Sequence, residues 1–209
     1  MDRTKASGAL NRGSIPLGGN KNSMRKQFLI LIFGHFASGK TTLAKKIEKE
    51  FNFSRVNSDD IRDFLISKIK HYSGAHYSYY NDKINSANRV VSKFKDYLIK
   101  ELLRQGQSLI IDGGRKTRDK RKKYVRLKKI CSKKLISIII ETKLDEKKII
   151  KRLKSRDAKN KQHRWVKFYY DFAKKEYESL NKNEADHTFT YNQKNSKELI
   201  EKLKKIIKV

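Results

Sequence analysis

Eight consecutive residues combine glycine, lysine and threonine at a spacing suited to phosphate binding. They are Gly34-His-Phe-Ala-Ser-Gly39-Lys40-Thr41 and fit the pattern G-x-x-x-x-G-K-[ST]. Glycines let backbone N–H groups converge on phosphate oxygens, a lysine neutralises their charge, and a threonine hydroxyl is a ligand for Mg²⁺. We therefore expect ATP and Mg²⁺ to bind here, with Thr41 on the metal and Lys40 acting in catalysis. The predicted nucleotide contacts are Gly34, Ala37, Ser38, Gly39, Lys40, Thr41 and Thr42.

The segments around this loop are the ones that a phosphate-binding loop requires. Gln27–Phe33 is a continuous apolar run, typical of a strand that is buried on both faces. Lys40–Phe51 has the helical period, with Leu43, Ala44 and Ile47 on one face. A strand, a glycine loop and then a helix distinguish such a site from a chance glycine turn, because the helix N-terminus also attracts anions.

A carboxylate and a guanidinium follow the next predicted strand, Phe53–Asn57. Asp59 is expected at the carboxyl end of that strand, opposite the phosphate loop, with Arg62 one helical turn further on the same face. An alcohol is a weak nucleophile at neutral pH, so phosphoryl transfer to a hydroxyl gains from a base such as Asp59. Arg62 would orient this base or hold an acceptor phosphate. Asp60 is the alternative base, and Asp59 is alternatively only the N-cap of the predicted helix Asp59–Lys70.

A third predicted strand, Gln107–Asp112, ends in an aspartate beside the phosphate loop. Asp112 is expected to hold Mg²⁺, through water, or to orient an arginine of the acceptor site. Since Gly113-Gly114 follows, an ordinary turn at the end of the strand is the alternative explanation for this aspartate.

Arg152 and Arg156 are spaced i and i+4, so they share one face of a helix. Arg152 lies in the predicted helix Asp145–Lys154, and Arg156 lies at the start of the polar segment that follows it, Ser155–Gln162. Two guanidinium groups directed at one point suit the charge that develops on phosphoryl oxygens in the transition state. We predict a lid at about 152–164 in which both arginines contact the nucleotide and act in catalysis. A solvated basic helix face is the alternative.

Two segments are candidates for holding the acceptor. His71–Tyr80 is rich in tyrosine, and aromatic rings stack on unpaired bases, although packing beneath a loop is the alternative. Lys116–Cys131 is a predicted helix with a buried stripe of Tyr124, Leu127 and Ile130, and a phosphate backbone suits its charged remainder. Its basic residues, with the one before it, are Arg115, Lys116, Arg118, Lys120, Arg121, Lys122, Lys123, Arg126, Lys128 and Lys129.

The composition is strongly basic, with a formal net charge of +30 from 52 basic and 22 acidic residues in 209. Such a charge attracts polyanions, but an AT-rich genome also enriches lysine, so charge alone does not identify a partner. The single cysteine, Cys131, favours a reducing, cytoplasmic setting. The apolar runs are too short to span a bilayer, and no protein partner is indicated.

The remaining periodic segments complete an alternation of strands and helices. Helices are predicted at 81–104, 164–180 and 196–208, and strands at 134–141 and 187–191. This alternation predicts an α/β fold: a P-loop NTPase three-layer sandwich with a mainly parallel, roughly five-stranded sheet and a helical lid. We expect one domain over 24–209 and a segment 1–23 that is disordered or introduced by cloning, with Met24 as the natural start.

The order of these motifs, G-x-x-x-x-G-K-T and then a strand-end N-x-D-D-x-R, resembles the polynucleotide 5′-hydroxyl kinase family and its wider group of small AAA-type P-loop kinases. The resemblance covers about 27–180. It implies that Asp59 is the general base, that Arg62 engages the acceptor, and that Arg152 and Arg156 are the lid arginines. The family usually has a polar pair such as Thr-Asn after the third-strand aspartate, where this chain has Gly113-Gly114.

The leading interpretation is therefore an ATP-dependent kinase that acts on the 5′-hydroxyl of RNA or DNA, with nucleic acid as its partner. A kinase of another hydroxyl is the alternative, on an aminoacyl-tRNA as in the related seryl-tRNA kinases or on a nucleotide-sugar as in the zeta-toxin kinases. A nucleic-acid-binding ATPase is the alternative without kinase activity. The absence of an evident glutamine or glutamate placed to orient water disfavours this last interpretation.

Overall fold

A computed structural model gives the fold of the chain. It describes residues 26–73, 82–114, 116–159 and 166–208, with their side chains except at 82–84, 156–159, 166–169 and 172. The segment 1–23, Arg115 and most of the tyrosine-rich segment lie outside the described residues.

Five parallel strands form one sheet in the described part of the chain. The central strand is buried along nearly its whole length, as its continuous apolar run predicts. Successive side chains point to opposite faces, so Phe28, Ile30 and Ile32 enter one core and Leu29, Leu31 and Phe33 the other. The strands are β1 (Lys26–Gly34), β2 (Ser54–Asn57), β3 (Leu109–Asp112), β4 (Lys134–Thr142) and β5 (His187–Tyr191). Their order across the sheet is β2-β3-β1-β4-β5, so β1 is the central strand.

Helices cover both faces of the sheet. They are α1 (Lys40–Phe51), α2 (Ser58–Lys68), α3 (Asp82–Arg104), α4 (Arg118–Val125), α5 (Glu146–Lys159), α6 (Val166–Lys175) and α7 (Ser196–Ile207). Side chains of α1 and α7 fill one core, and those of α3 and α4 fill the other. The predicted fold class, a three-layer α/β sandwich of the P-loop type, is confirmed. Among the described residues, no helix combines the length and apolar character needed to cross a bilayer.

Three predicted helix boundaries are wrong. The helix α5 continues to Lys159, beyond the predicted end at Lys154. The helix α6 ends at Lys175, and the N–H of Glu178 donates to the carbonyl of Lys116 (3.0 Å). The predicted basic helix is divided into α4 and a 3₁₀ turn at Arg126–Ile130.

One residue assigned to the charged surface of that basic segment, Arg121, is fully buried. Its guanidinium forms two hydrogen bonds to the Glu184 carboxylate (2.6 and 2.9 Å) and lies 4.2 Å from the centre of the Phe33 ring. It also donates to the carbonyls of Lys116 and Glu178, both at 3.0 Å. Arg121 therefore joins the chain after β3 to the segment before β5, and the surface interpretation of this residue is wrong.

Replacing Arg121 with methionine is expected to lower the free energy of unfolding by about 3–5 kcal/mol, because Glu184 then keeps its buried charge and loses its closer ion pair, leaving Arg118 at 3.6 Å. Adding Glu184→Gln in the same chain should recover part of this loss. Arg126→Ala removes an exposed cation of the next turn and should change stability by less than about 0.5 kcal/mol. Urea unfolding measures all three. An R121M protein as stable as R126A would contradict the structural role of Arg121.

Candidate active site

The carboxyl ends of β1, β2 and β3 meet at one edge of the sheet. In register, Ile32 of β1 lies beside Asp112 of β3, which lies beside Asn57 of β2. Ligands of parallel sheets bind at this edge. The motifs predicted from three distant parts of the sequence are therefore brought together here.

The glycines of the phosphate loop permit its backbone conformation. Gly34, Ala37 and Gly39 have φ angles of 150°, 55° and 98°. A Cβ atom at Gly34 would lie 2.5 Å from the carbonyl oxygen of Thr142 and closer still to its hydroxyl. Because the hydroxyls of Ser38 and Thr142 are 2.6 Å apart, the loop is also tied to the end of β4. Only glycine fits this close approach at position 34.

Lys40 lies against the loop that it follows. Its ammonium donates to the carbonyls of His35 (2.6 Å) and Gly34 (3.1 Å). Gly39 is the N-cap of α1 and provides no side-chain cap, so the positive end of this helix remains accessible to an anion. Thr41 and Thr42 are exposed in the first helical turn. These positions are compatible with the predicted contacts to phosphate.

Asp112 has one carboxylate oxygen that the described protein groups do not satisfy. Its Oδ2 accepts from Asn57 Nδ2 (2.6 Å) and from Arg55 (3.3 Å), whereas its buried Oδ1 has no hydrogen-bond partner in the described part of the chain. A bound ion or water would satisfy a buried carboxylate oxygen of this kind. Gly113 and Gly114 do form a turn, with φ angles of 93° and 79°, but this turn leaves Oδ1 unsatisfied.

The residues present fit Mg²⁺. This ion keeps several waters and binds substrate phosphates, so it needs only one or two protein ligands, here the Thr41 hydroxyl and the Asp112 carboxylate. The described residues contain no group of three or more acidic, histidine or cysteine side chains that would form a metal cage. A magnesium ion held together with a nucleotide is consistent with that arrangement.

The N-cap of α2 is Asn57. Its side-chain oxygen accepts from the backbone N–H of Asp59 (2.6 Å) and of Asp60 (3.4 Å). Asp59 therefore lies inside the first turn, and the alternative interpretation of Asp59 as the N-cap is wrong. Its side chain is 69% exposed at the rim of the site, so its carboxylate is accessible to a substrate.

The two candidate bases have different partners. Asp59 pairs with Arg62 (2.5 Å), whose Nε donates to the Asn88 side chain of α3 (2.8 Å). Asp60 pairs with Arg55 (2.6 Å), on the side of α2 that faces β2. The geometry is compatible with the predicted base at Asp59, held by Arg62.

Arg55 was missed by the sequence analysis. It bridges three carboxylates from three elements, those of Glu48 (3.2 Å), Asp60 (2.6 Å) and Asp112 (3.3 Å). Burial opposes the charge of Arg55, but these carboxylates, Asp60 foremost, raise its pKa above the ordinary value. The available signal was strand alternation, because Arg55 and Asn57 are two residues apart and share one face of β2.

The helices α5 and α6 pack on the phosphate loop, with Ile149, Leu153 and Tyr170 against Phe36 and Ala37. Arg152 donates to the carbonyl of Ala37 (3.0 Å), so this predicted lid arginine does reach the loop. The side chain of Arg156 lies outside the described residues, as do Arg164 and Trp165.

A cavity of about 570 Å³ adjoins the phosphate loop on the side of α5. This volume is within the usual range for small-molecule sites and is suited to a nucleoside. Two of its lining residues, Tyr191 and Gln193 at the end of β5, were not predicted, because no local motif marks them. The lining residues are Ala37, Gly39, Thr42, Lys148, Lys151, Arg152, Ser155, Tyr191 and Gln193.

Comparison with protein families gives one match over most of the chain. A family described as an AAA domain matches residues 29–169, which include the phosphate loop, Asp59, Asp112 and α5. The chain belongs to this AAA domain family. The predicted relationship to P-loop kinases is confirmed, and the AAA domain has a P-loop kinase-type, nucleotide-binding fold. No curated protein matches the chain significantly.

Solved structures share this fold at low sequence identity. A candidate kinase from Chloroflexus aurantiacus has a TM-score of 0.67 at 16% identity, over 86% of this chain and 97% of its own. Kti12 from Chaetomium thermophilum, bound to ADP-AlF₃, has a TM-score of 0.60 at 14% identity, over 86% of this chain and 98% of its own. A chain of the Pnkp1/Rnl/Hen1 RNA repair complex has a TM-score of 0.50 at 19% identity, over 76% of this chain and 48% of its own. At these identities the similarity concerns the fold alone.

His35, a variable position of the loop pattern, is packed in this AAA domain. Its ring stacks on Tyr177 with centroids 3.9 Å apart and lies 5.5 Å from Tyr170 of α6. The Tyr177 hydroxyl donates to the buried carboxylate of Glu141 (2.6 Å). Burial, followed by the positive charge of Lys40, lowers the pKa of His35 below its ordinary value.

The lowered pKa of His35 predicts a loss of stability in mild acid. The unfolded chain takes up a proton at His35 as pH falls through about 6.5 and the folded chain resists it, so acid favours unfolding. Urea unfolding between about pH 7.5 and about pH 5.5 should show a smaller loss in His35→Phe, which keeps an aromatic ring on Tyr177. Equal pH dependence in the two proteins would contradict this role of His35.

Proposed function

We propose that this AAA domain is an ATP-dependent kinase whose acceptor is the 5′-hydroxyl of an RNA or DNA end. The observation that carries the proposal is the state of Asp59. It is exposed at the carboxyl end of β2, is oriented by Arg62, and is relieved of helix capping by Asn57. A kinase of nucleoside monophosphates has an anionic acceptor and needs no such base, whereas a hydroxyl acceptor does.

Different residues of the site act on different groups during phosphoryl transfer. Bound ATP and Mg²⁺ would supply the phosphoryl group and part of the neutralisation of its charge. Asp59 takes the proton of the attacking hydroxyl as its oxygen bonds to the γ-phosphorus, and the bond from that phosphorus to the β–γ bridging oxygen breaks. Lys40 and Arg152 stabilise the negative charge that accumulates on the departing ADP and on the transferred group.

Two features support nucleic acid as the acceptor. The net charge of +30 favours binding to a polyanion, and exposed cations such as Lys120 and Lys122 remain on α4 after Arg121 is excluded. The order of the motifs also resembles the polynucleotide 5′-hydroxyl kinase family.

Transfer of label from γ-labelled ATP, in the presence of Mg²⁺, tests the proposal. The acceptors are 5′-hydroxyl RNA and DNA oligonucleotides, the same oligonucleotides with a 5′-phosphate, an aminoacylated tRNA and a nucleotide-sugar. We expect label on the 5′-hydroxyl oligonucleotides and none on their 5′-phosphorylated controls. Label on no acceptor would overturn the kinase proposal. Label only on the aminoacylated tRNA or the nucleotide-sugar would reject the 5′-hydroxyl acceptor.

A further inference from the structure

The helix α3 carries large apolar side chains on its outer face. Val90, Phe94 and Tyr97 are 37%, 50% and 62% exposed. Their spacing of four and then three residues places them on one side of the helix. Val91 and Ile99 fill the core from the opposite side, so the outer residues are not needed to pack the described fold.

Exposed cations flank these side chains along one edge of the outer face, which also carries Glu101, paired with Arg104 (3.5 Å). Arg89, Lys93 and Lys100 lie on the same outer half of α3, and none has a carboxylate partner among the residues whose contacts are described. The helix α4 packs alongside, since Lys123 and Tyr124 both bond to Asp96 of α3 (2.6 and 2.8 Å). The exposed cations of α4 and its 3₁₀ turn therefore adjoin this face; they include Lys120, Lys122 and Arg126.

We propose that this surface binds the unpaired nucleotides that follow the reacting end of a single-stranded nucleic acid. Successive bases stack on Phe94 and Tyr97 while Lys93 and Lys100 hold the phosphates between them. Aromatic rings among basic side chains bind single strands without sequence preference, because every base has a π-face. The proposal adds a binding surface to the proposed kinase, and it rests on the proposed function for the identity of the reacting end. We call Val90, Phe94, Tyr97, Arg89, Lys93 and Lys100 the α3 outer surface.

The distance from the candidate base determines which nucleotides reach this surface. Asn88 of α3 bonds to Arg62, the partner of Asp59, and so marks the acceptor site on the same helix, but on the side that faces α2. Phe94 and Tyr97 follow by six and nine residues, about 9 and 14 Å along the axis, and lie about 120° and 180° around it from Asn88, so the strand has to pass around the helix to reach them. With about 3.4 Å per stacked nucleotide, this longer path places them at roughly the fourth to seventh nucleotides of the acceptor.

Binding of the full chain, without ATP, tests the stacking contacts. The probes are a 3′-labelled single strand of about 16 nucleotides, the upper limit of common site sizes, and a duplex of equal length. The variant F94L/Y97L keeps apolar side chains and removes both rings. We expect it to bind the single strand about tenfold or more weakly and the duplex unchanged. Unchanged binding of the single strand, or an equal loss for both probes, would overturn the proposal.

A charge-matched pair of variants tests the phosphate contacts. K93A/K100A should reduce the salt dependence of single-strand binding by about one unit of log–log slope for each lysine. K197A/K205A makes the same change in charge on α7, on the opposite face of the sheet, and should leave the slope nearly unchanged. Equal slopes for the two pairs would mean that the attraction is diffuse and would overturn the assignment to α3.

Light scattering tests whether a second copy of the chain, rather than nucleic acid, binds the α3 outer surface. A dimer that becomes monomeric in F94A/Y97A, with nucleic-acid binding unchanged, would reject the proposal in favour of that occupant.

Kinetics separate this proposal from the kinase proposal. In F94L/Y97L, a long 5′-hydroxyl acceptor should show a KM raised by about tenfold at unchanged kcat, and a 5′-hydroxyl dinucleotide, too short to reach Phe94, should be unaffected. If no acceptor is phosphorylated but the binding results hold, the kinase proposal fails and the α3 outer surface stands. If long acceptors are phosphorylated equally by both proteins, the α3 outer surface fails alone.

Discussion

Replacing Lys40 with alanine is expected to lower kcat/KM for ATP by at least about 10³-fold, whichever hydroxyl is the acceptor. The Lys40 ammonium is held inside the phosphate loop by the carbonyls of Gly34 and His35, where the terminal phosphates of ATP are expected. Its removal takes away charge stabilisation in the transition state as well as part of the nucleotide binding. Steady-state transfer of label from γ-labelled ATP measures the loss.

Lys45→Ala provides a matched control for this prediction. Lys45 is an exposed lysine of the same helix, so its replacement makes the same change in charge and in side-chain length. We expect its kinetics to be unchanged, and unfolding curves of both variants to match that of the wild type. A K40A protein within about tenfold of the wild type would place the charge stabilisation elsewhere.

Replacing Asp59 with asparagine is expected to lower kcat by about 10²- to 10⁴-fold and to leave the Kd of ATP nearly unchanged. The amide has almost the shape of the carboxylate but cannot take the proton of the attacking hydroxyl. Nucleotide binding should persist because the Asp59 side chain pairs with Arg62, on the acceptor side of the site. Single-turnover transfer and equilibrium ATP binding separate the two effects.

Asp60→Asn is the comparison that tests the choice of base. The Asp60 carboxylate is paired with Arg55, so its replacement should have a much smaller effect on kcat. Full activity in D59N together with a large loss in D60N would transfer the role of base to Asp60. Full activity in both variants would make Asp112 the remaining candidate for the base.

Much of the donor site was predictable because its signals are local. A strand, a glycine loop and a helix within 27–51 determine where a phosphate binds, and each is recognised from residues close together in the chain. The alternation of strands and helices likewise predicted the parallel sheet, since parallel neighbours require crossover connections. The strand-end position of Asp112 followed from the same pattern.

Other roles depend on contacts between residues far apart in sequence. Arg121 is indistinguishable by type from the cations around it, and only the approach of Glu184, 63 residues later, shows that it is buried. Arg55 acquires its role from Asp112, 57 residues away in the neighbouring strand. His35 is packed only because Tyr177 and Tyr170 reach the loop from beyond β4.

The sequence by itself thus determined the phosphate loop, the fold class and the candidates for base and lid, because periodicity and turn chemistry act over a few residues. The tertiary structure decided which candidate has which partner: Asn57 caps α2, Arg62 orients Asp59, and Arg55 holds Asp60. It also showed that the aromatic side chains of α3 face outward. The physical reason is that hydrogen bonding and burial depend on the approach of distant segments, which no local pattern encodes.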